Sequence, residues 1–172
     1  MGLLVPYVPS PLYVVRKMLE LAGVGQDDIV YDLGCGDGRI VITAVKEFDA
    51  KKGVCIELRE ELVQRVLKKV KEEGLENRVE VRKEDMFKAD IGEATVVTLF
   101  LLTSVNDQLA PKLENELRPG TRVVSHEFRI TDWKPLVTAI VNDGRLTHNI
   151  YLYVIGNHRR VAFKPLNTKE LG

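Results

Sequence analysis

Acidic residues and glycines alternate in one short stretch of the chain, from Asp32 to Gly38. An apolar run precedes this stretch, and a segment with amphipathic helical spacing follows it directly. Glycine permits positive φ angles and lets a ligand approach the backbone, and the start of a helix leaves free N–H groups. The pattern therefore predicts a strand, a tight turn and a helix, with a small-molecule pocket at the carboxyl end of a parallel strand.

The spacing of the glycines narrows the choice of ligand. A dinucleotide site has its third glycine three residues after the second, whereas Gly34, Gly36 and Gly38 alternate here. The carboxylates of Asp32 and Asp37 would repel a pyrophosphate, but they would attract an ammonium or sulfonium group. The pattern favours a positively charged ligand; the alternative is a glycine-rich turn with only a structural role.

Two further acidic segments follow predicted strands. Glu57 ends an apolar run about 20 residues beyond the glycine turn, where a doubly wound fold places the carboxylate that binds a ribose. This acid is compatible with either NAD or S-adenosylmethionine (SAM). After the next predicted strand, Asp85 could accept a hydrogen bond from an adenine amino group, and Met86 and Phe87 could pack on the ring. The alternative for this second segment is a surface turn.

Candidate bases and metal ligands are few. His126 ends a predicted strand and could act as a base, although a single histidine there is more often a hydrogen-bonded structural residue. Cys35 and Cys55 form neither a disulfide framework nor a set of zinc ligands. We expect both cysteines to be buried free thiols, and we predict no metal site.

The hydrophobic periodicity predicts an α/β fold in which helices alternate with parallel strands. Residues 94–102 are nearly all apolar, as expected of a strand buried on both faces in the middle of a parallel sheet. Helices are predicted over residues 12–22, 39–48, 59–73, 103–117 and 133–143, and further strands over residues 52–57, 79–82 and 123–128. Residues 146–155 and 160–164 are predicted to form an antiparallel hairpin. The expected fold is a doubly wound, seven-stranded, mostly parallel sheet with a C-terminal antiparallel hairpin, which is a Rossmann-like arrangement.

Size and charge limit the classes of function. A chain of 172 residues with 45% hydrophobic and 29% charged residues suits one globular domain over residues 1–172. Lys+Arg and Asp+Glu both total 25, so the chain lacks the general basic footprint of a nucleic-acid-binding protein. The sequence shows neither a signal peptide nor a bilayer-spanning apolar stretch. We expect a cytoplasmic protein that binds neither membranes nor nucleic acid directly.

The N-terminal residues 1–10 form an apolar arm stiffened by Pro6 and Pro9. Each proline removes an N–H group and favours extended geometry in the residue before it. Ser10 and Pro11 then provide a helix start, with a capping hydroxyl and a proline at the first helical position. The arm either covers an edge of the core or closes as a lid over the pocket, with Tyr7 as the residue that would contact the ligand.

Four motifs together resemble those of one family of enzymes. They are Val-Pro-Tyr-Val-Pro-Ser-Pro at residues 5–11, Tyr-Asp-Leu-Gly-Cys-Gly-Asp-Gly-Arg at 31–39, Phe-Leu-Leu-Thr at 100–103 and Ser-His-Glu-Phe at 125–128. The second motif resembles the first motif of all seven-β-strand (class I) SAM-dependent methyltransferases. The set is similar to the archaeal broad-specificity protein-lysine methyltransferases, which are related to mitochondrial lysine methyltransferases and more distantly resemble Dot1.

The resemblance implies SAM as the methyl donor and the ε-amines of exposed protein lysines as the acceptors. It also implies a monomer, and we extend the expected substrates to chromatin proteins and other nucleic-acid-associated proteins. The residues that the resemblance places around SAM are Asp32, Gly34, Gly36, Glu57 and Asp85, with Tyr7 closing over it, and we add Asp37, Leu58, Met86 and Leu101 as candidate SAM contacts. The candidate residues at the reacting groups are Tyr7, Leu101, Thr103 and His126.

The end of the fourth predicted strand separates two kinds of amine acceptor. Methyltransferases that act on adenine resemble one another in an Asn/Asp-Pro-Pro-Tyr motif there, but this chain has Phe100 followed by Leu101, Leu102 and Thr103. A lysine amine needs alignment and loss of its proton more than activation, and an apolar channel lowers its pKa by desolvation. Leu101, Leu102, Tyr7 and Phe128 could line such a channel. The alternatives are a small-molecule or RNA methyltransferase on the same fold, or a non-catalytic SAM-binding module.

Overall fold

A computed structural model describes residues 8–160 of the chain. Helices and strands alternate through most of it, as the periodicity predicts. The helices are α1 (Leu12–Leu21), α2 (Arg39–Glu47), α3 (Glu60–Glu72) and α4 (Thr103–Glu116). The strands are β1 (Ile29–Leu33), β2 (Lys52–Ile56), β3 (Val79–Arg82), β4 (Val96–Leu99), β5 (Arg122–His126), β6 (Val137–Asn142) and β7 (Thr147–Val154).

The seven strands form one sheet in the order β3-β2-β1-β4-β5-β7-β6. The first five pair in parallel, and β7 runs antiparallel to both β5 and β6. The chain reverses its direction of travel across the sheet between β1 and β4, which places a crevice at the carboxyl ends of these two strands. The predicted seven-stranded doubly wound fold is confirmed.

Two hydrophobic clusters fill the two faces of the sheet. One contains the buried sides of α1 and α2 against Val30 of β1, and the other contains Leu109 and Leu113 of α4 against Tyr31 and Leu33 of the same strand. Adjacent residues of a strand point to opposite faces, so a strand covered on both sides must be apolar almost throughout. The central strands therefore hold the crevice on a rigid support.

The predicted helix over residues 133–143 is wrong, because this segment contains strand β6. Its residues alternate between more and less exposed positions along Val137–Asn142, and the segment is rich in β-branched residues, which favour strands. Its partner in the hairpin is β7, joined through a turn in which Gly144 has φ 91°. The predicted hairpin partner at residues 160–164 lies almost entirely outside the described residues.

The expectation of two free thiols is also wrong, because the structure joins Cys35 and Cys55 in a disulfide. The turn after β1 folds back over β2: the N–H groups of Gly34 and Cys35 both donate to the carbonyl of Ile56, at 2.9 and 3.0 Å. This contact brings Cys35 beside Cys55, with 5.3 Å between their Cα atoms, within the usual span of a disulfide.

The start of α1 differs from the prediction in one side chain. The helix begins at Leu12 after Pro11, and no side chain caps it. The hydroxyl of Ser10 forms a hydrogen bond with His126 instead. Within residues 8–160, no helix combines the length and the hydropathy that a membrane span requires.

Candidate functional site

A cavity of about 530 Å³ opens at the carboxyl ends of β1, β2 and β4. The lining residues that follow β1 and β2 include the glycine turn and the charged residues Asp32, Asp37, Arg39, Glu57 and Arg59. The lining residues that follow β4 and β5 are apolar, and they are Phe100, Leu101, Leu102, Val105 and Phe128; Val8 and Pro9 of the N-terminal arm also line the cavity. The cavity therefore combines charged groups, of which three are acids and two are arginines, with apolar surface.

The glycine turn has a conformation that other residues would strain. Gly34, Gly36 and Gly38 have φ angles of 76°, 59° and 79°, in the left-handed region that glycine adopts without cost. A Cβ atom on Gly38 would lie 2.7 Å from a methyl carbon of Val66 in α3. Gly38 is thus required both by its φ angle and by close packing, which lets α2 begin directly beneath the cavity.

The carboxylate of Glu57 holds the loops around the cavity through three backbone groups. One oxygen accepts a hydrogen bond from the N–H of Gly36 at 3.0 Å, and the other accepts from Leu58 and Arg59 at 2.8 and 2.9 Å. Hydrogen bonds to a charged acceptor are the stronger kind. Glu57 therefore shapes the glycine turn, in addition to facing the cavity.

Asp32 is a buried carboxyl at the end of β1. Burial raises its pKa to about 7, and the nearby charges of Glu57 and Asp37 act in the same direction, while a hydrogen bond from Thr98 partly opposes them. A positive charge placed in this part of the cavity would favour the ionised form of Asp32. A cationic ligand bound beside Asp32 would thus stabilise its ionised form.

We expect Asp32→Asn to stabilise the ligand-free protein at alkaline pH. The folded protein keeps the Asp32 proton up to about pH 7, whereas the unfolded chain loses it near pH 4. This proton's contribution to the free energy of unfolding is therefore fully present below about pH 4 and is lost as the pH rises through 7. Thermal unfolding at pH 8 and at pH 4 measures the effect: the variant should melt higher than wild type at pH 8 and close to it at pH 4.

The exposed acid Asp132 provides the matched control for this experiment. Asp132→Asn should leave the thermal midpoint close to that of wild type at both pH values. An Asp32→Asn midpoint that falls below wild type at pH 8 would contradict the assignment, because it would mean that the charged carboxylate stabilises the ligand-free fold.

The N-terminal arm is joined to the cavity at Ser10, which is contacted from two sides. Arg39 forms a bidentate ion pair with Asp37, with its shortest contact at 2.7 Å, and it also donates to the carbonyl of Ser10 at 3.1 Å. On the other side, the hydroxyl of Ser10 lies 2.8 Å from Nδ1 of His126. These contacts hold Val8 and Pro9 against the cavity.

His126 lies behind the cavity wall. Its side chain is buried, its ring stacks on Phe100 with 4.1 Å between centroids, and it is not part of the cavity lining. Nε2 lies 2.9 Å from Nδ1 of His148. Burial, with a smaller contribution from His148, lowers the pKa of His126 to about 4, so the ring is neutral at pH 7. Its geometry suits a residue that positions Ser10 and Phe100 more than one that takes a proton from a bound acceptor.

The structure brings together most of the residues that the sequence singles out as SAM contacts. Those in the cavity lining are Asp32, Gly34, Gly36, Asp37, Glu57, Met86 and Leu101. Leu58, Asp85 and Thr103 are not in it: Leu58 is 56% exposed, and Oδ1 of Asp85 accepts a hydrogen bond from the N–H of Phe87, as in a surface turn. Tyr7 lies outside the described residues.

Sequence reasoning missed several lining residues, notably Ile40, Arg59 and Leu62. Ile40 stands in the first turn of α2, and Leu62 stands in the first turn of α3. The sequence does contain a signal for these two residues. Each stands at the start of a helix that follows an acid-containing strand end, and such a helix begins at the same edge of the sheet as the cavity.

The strand order and the alternating glycines at the end of β1 define a class I methyltransferase fold. The chain belongs to the ANTKMT methyltransferase domain family, whose model matches residues 32–137. The predicted family and the predicted class of enzyme are confirmed, whereas the more distant resemblance to Dot1 stays a prediction.

Similar proteins extend over nearly the whole chain. A protein-lysine N-methyltransferase of Saccharolobus islandicus (strain REY15A) is 57% identical over 155 residues, which are 90% of this chain and 96% of that protein. An adenine nucleotide translocase lysine N-methyltransferase of Mus musculus is 33% identical over 149 residues, which are 87% of this chain and 62% of that longer protein.

One solved structure is similar in both fold and sequence. It is that of an RNA methyltransferase from Salinibacter ruber in complex with S-adenosylhomocysteine. It superposes with a TM-score of 0.81 at 46% identity, over 93% of this chain and 99% of that one. S-adenosylhomocysteine is what SAM becomes after methyl transfer, which agrees with the cofactor that the sequence predicts.

Proposed function

We propose that this chain is a SAM-dependent protein-lysine N-methyltransferase. The observation that carries the proposal is a cavity whose lining contains both the buried carboxyl of Asp32 and the apolar residues that follow β4. Asp32 suits the cationic methyl donor, and the apolar residues suit the alkyl chain of a lysine. The protein-lysine N-methyltransferase that is 57% identical supports the same acceptor.

Individual residues of the cavity suit SAM. Asp32 offers a buried carboxyl to a positive group, and Glu57 holds the turn that would face the ligand. At Gly34 a Cβ would lie 3.4 Å from the side chain of Leu101, so the glycine keeps this part of the cavity open. When bound, SAM supplies a methyl group on a sulfonium that leaves as a neutral thioether.

The apolar wall acts on the acceptor. A lysine has a pKa of about 10.4 in water, so only about 1 in 2,500 lysines is neutral at pH 7. Leu101, Leu102 and Phe128 would remove water from the ammonium group and lower its pKa. The ammonium would lose one proton to solvent, and the neutral nitrogen would then accept the methyl group that SAM supplies, so that the product is a methylammonium. The wall would also align the amine with the methyl group, and a lysine amine needs this alignment more than it needs activation.

We extend the proposal to the organisation of the enzyme. Residues 1–172 would act as one catalytic domain, and residues 1–10 would form a lid in which Tyr7 closes over the donor. Four of the predicted site residues would act indirectly, by supporting the loops and walls of the cavity: Leu58, Asp85, Thr103 and His126. We further propose a cytoplasmic monomer whose substrates include chromatin proteins and other nucleic-acid-associated proteins.

The experiment that tests this function offers labelled SAM and alternative acceptors to the purified protein. We expect label in protein lysines, with mass spectrometry placing methyl groups on ε-nitrogens of exposed side chains. Peptides in which arginine replaces lysine should be inert, because the guanidinium group does not lose its proton. The rate on lysine peptides should rise with pH through the neutral and alkaline range, since the neutral amine is the nucleophile.

Two outcomes would overturn the lysine assignment. Label in RNA and none in protein would identify an RNA methyltransferase, the activity named for the Salinibacter ruber protein. SAM binding with no transfer to any acceptor of a cell lysate would identify a binding module. A Glu57→Ala variant serves as the control for enzyme-dependent label, because its loop should no longer be held in place.

A further inference from the structure

Three side chains with metal-binding atoms converge at the carboxyl end of β5, behind the apolar wall of the cavity. They are His126 and Glu127, which are consecutive, and His148 from β7. One ligand atom of each lies within 4.8 Å of the others. None of the three is in the cavity lining.

The backbone at Glu127 has an unusual conformation that produces this convergence. Consecutive side chains of a strand point to opposite faces, so His126 and Glu127 would normally point apart. Glu127 instead has φ 69°, in the left-handed region, which is unfavourable for a residue with a Cβ atom. The left-handed residue breaks the alternation of the strand and lets both side chains reach the same point. Such a conformation persists only where the surroundings impose it, and it is frequent at functional sites.

The three side chains are held by surrounding hydrogen bonds of the kind that orients metal ligands. Nδ1 of His126 contacts the hydroxyl of Ser10 at 2.8 Å, which leaves its Nε2 directed at His148. Both oxygens of Glu127 accept hydrogen bonds from Asn149, one from the backbone and one from the side chain. Partners that fix the ring orientation of histidine and hold a carboxylate are typical around bound metal ions.

The present hydrogen bonds leave one polar group of this cluster unsatisfied. Nε2 of His126 and Nδ1 of His148 are 2.9 Å apart and can share only one proton. The other ring nitrogen of His148, Nε2, is buried and has no hydrogen-bond partner among the described residues. The contacts among the described residues therefore satisfy only one of the two ring nitrogens of His148.

From these observations we propose that His126, Glu127 and His148 bind one divalent transition-metal ion of the zinc type. Two imidazoles and one carboxylate are a ligand set that zinc accepts, with the fourth position open to water. Magnesium and calcium are disfavoured because they prefer oxygen ligands. A tetrahedral ion with Zn–N bonds of about 2.0–2.1 Å would replace the shared proton and separate the two nitrogens slightly. The ion would link the end of β5 to β7 and, through His126 and Ser10, fix the attachment of the N-terminal arm.

Calorimetry of the full chain, freed of metal by a chelator, tests the proposal with zinc as the probe. The titration omits reductant, so that the Cys35–Cys55 disulfide stays closed and offers no thiolates to the metal. We expect one equivalent of zinc to bind and to raise the thermal midpoint, because the unfolded chain lacks the assembled site. Cobalt as a second probe should give the absorption bands of a tetrahedral site with nitrogen and oxygen ligands.

Variants separate this site from adventitious binding to the surface. His148→Ala should weaken zinc binding by about 100-fold or more, as loss of one of three protein ligands predicts. His158→Ala provides the matched control: the ring of His158 contacts Glu114 and Trp133 instead, so its loss should leave zinc binding unchanged. If His148→Ala does not fold, Glu127→Gln replaces it with the same expected direction. Wild-type protein that binds no zinc, or that binds it no better than His148→Ala or Glu127→Gln, overturns the proposal.

Discussion

Glu57→Ala should weaken SAM binding by about 1.5–3 kcal/mol, the scale of lost hydrogen bonds to a charged group, which is roughly 10- to 150-fold in dissociation constant. The variant loses the carboxylate at the cavity and, at the same time, the acceptor for the N–H groups of Gly36, Leu58 and Arg59. The glycine turn would then lose the hydrogen bond that holds it in the conformation suited to binding the ligand. Calorimetry with SAM and with S-adenosylhomocysteine measures the loss.

Neighbouring acids and a conservative change provide the controls for this prediction. Glu57→Gln keeps one acceptor oxygen, so its affinity should fall between those of wild type and Glu57→Ala. Glu61→Ala removes an exposed acid in the first turn of α3 and should leave SAM affinity unchanged. A Glu57→Ala protein that melts like wild type and binds SAM with the same affinity would disprove the role of Glu57.

Deleting residues 1–9 should leave a folded protein that binds SAM but transfers methyl groups about 100-fold more slowly, the scale of a small misalignment of reacting groups. Folding should survive because Val14, Val15, Met18 and Leu19 anchor α1 in the core without the arm. Transfer should fall because Val8 and Pro9 leave the cavity wall, which admits water to the acceptor channel. Single-turnover rates with a lysine peptide, beside thermal unfolding and SAM titration, measure the three properties separately.

A shorter deletion locates the effect within the arm. Removing only residues 1–7 keeps Val8 and Pro9, together with the contacts of Arg39 and His126 to Ser10. If the shorter deletion is as slow as the longer one, the segment containing Tyr7 is required for transfer; if it is as fast as wild type, the cavity wall is the important part. Full activity after deletion of residues 1–9 would reduce the arm to a cover for the core.

Much of the fold and the charged half of the site could be predicted from the sequence. Gly34, Gly36 and Gly38 occupy backbone positions with positive φ, and glycine is the residue that such positions favour, so their spacing alone predicts the turn. Asp32 and Glu57 follow directly from their positions at the ends of apolar runs, because the carboxyl ends of parallel strands meet at one edge. These features depend on residues that are close together in the sequence, so one sequence is enough to predict them.

The tertiary structure decided the features that depend on distant partners. Residues 137–142 contain β-branched residues that suit a strand, but it is the pairing with β7 as an antiparallel neighbour that fixes them as one, because strand preference depends strongly on such context. Ser10 contacts His126, which is 116 residues away in the sequence. Residue spacing therefore could not predict that the N-terminal arm is anchored at Ser10, or that His126 lies outside the cavity lining. Leu58 and Asp85 stand beside residues of the cavity, yet they lie outside its lining, because the direction of a loop side chain is set by the packing around it. The sequence alone thus determined the parallel strands, the turn and its acids, whereas the contacts between distant segments decided the edge strand β6 and which side chains reach the cavity.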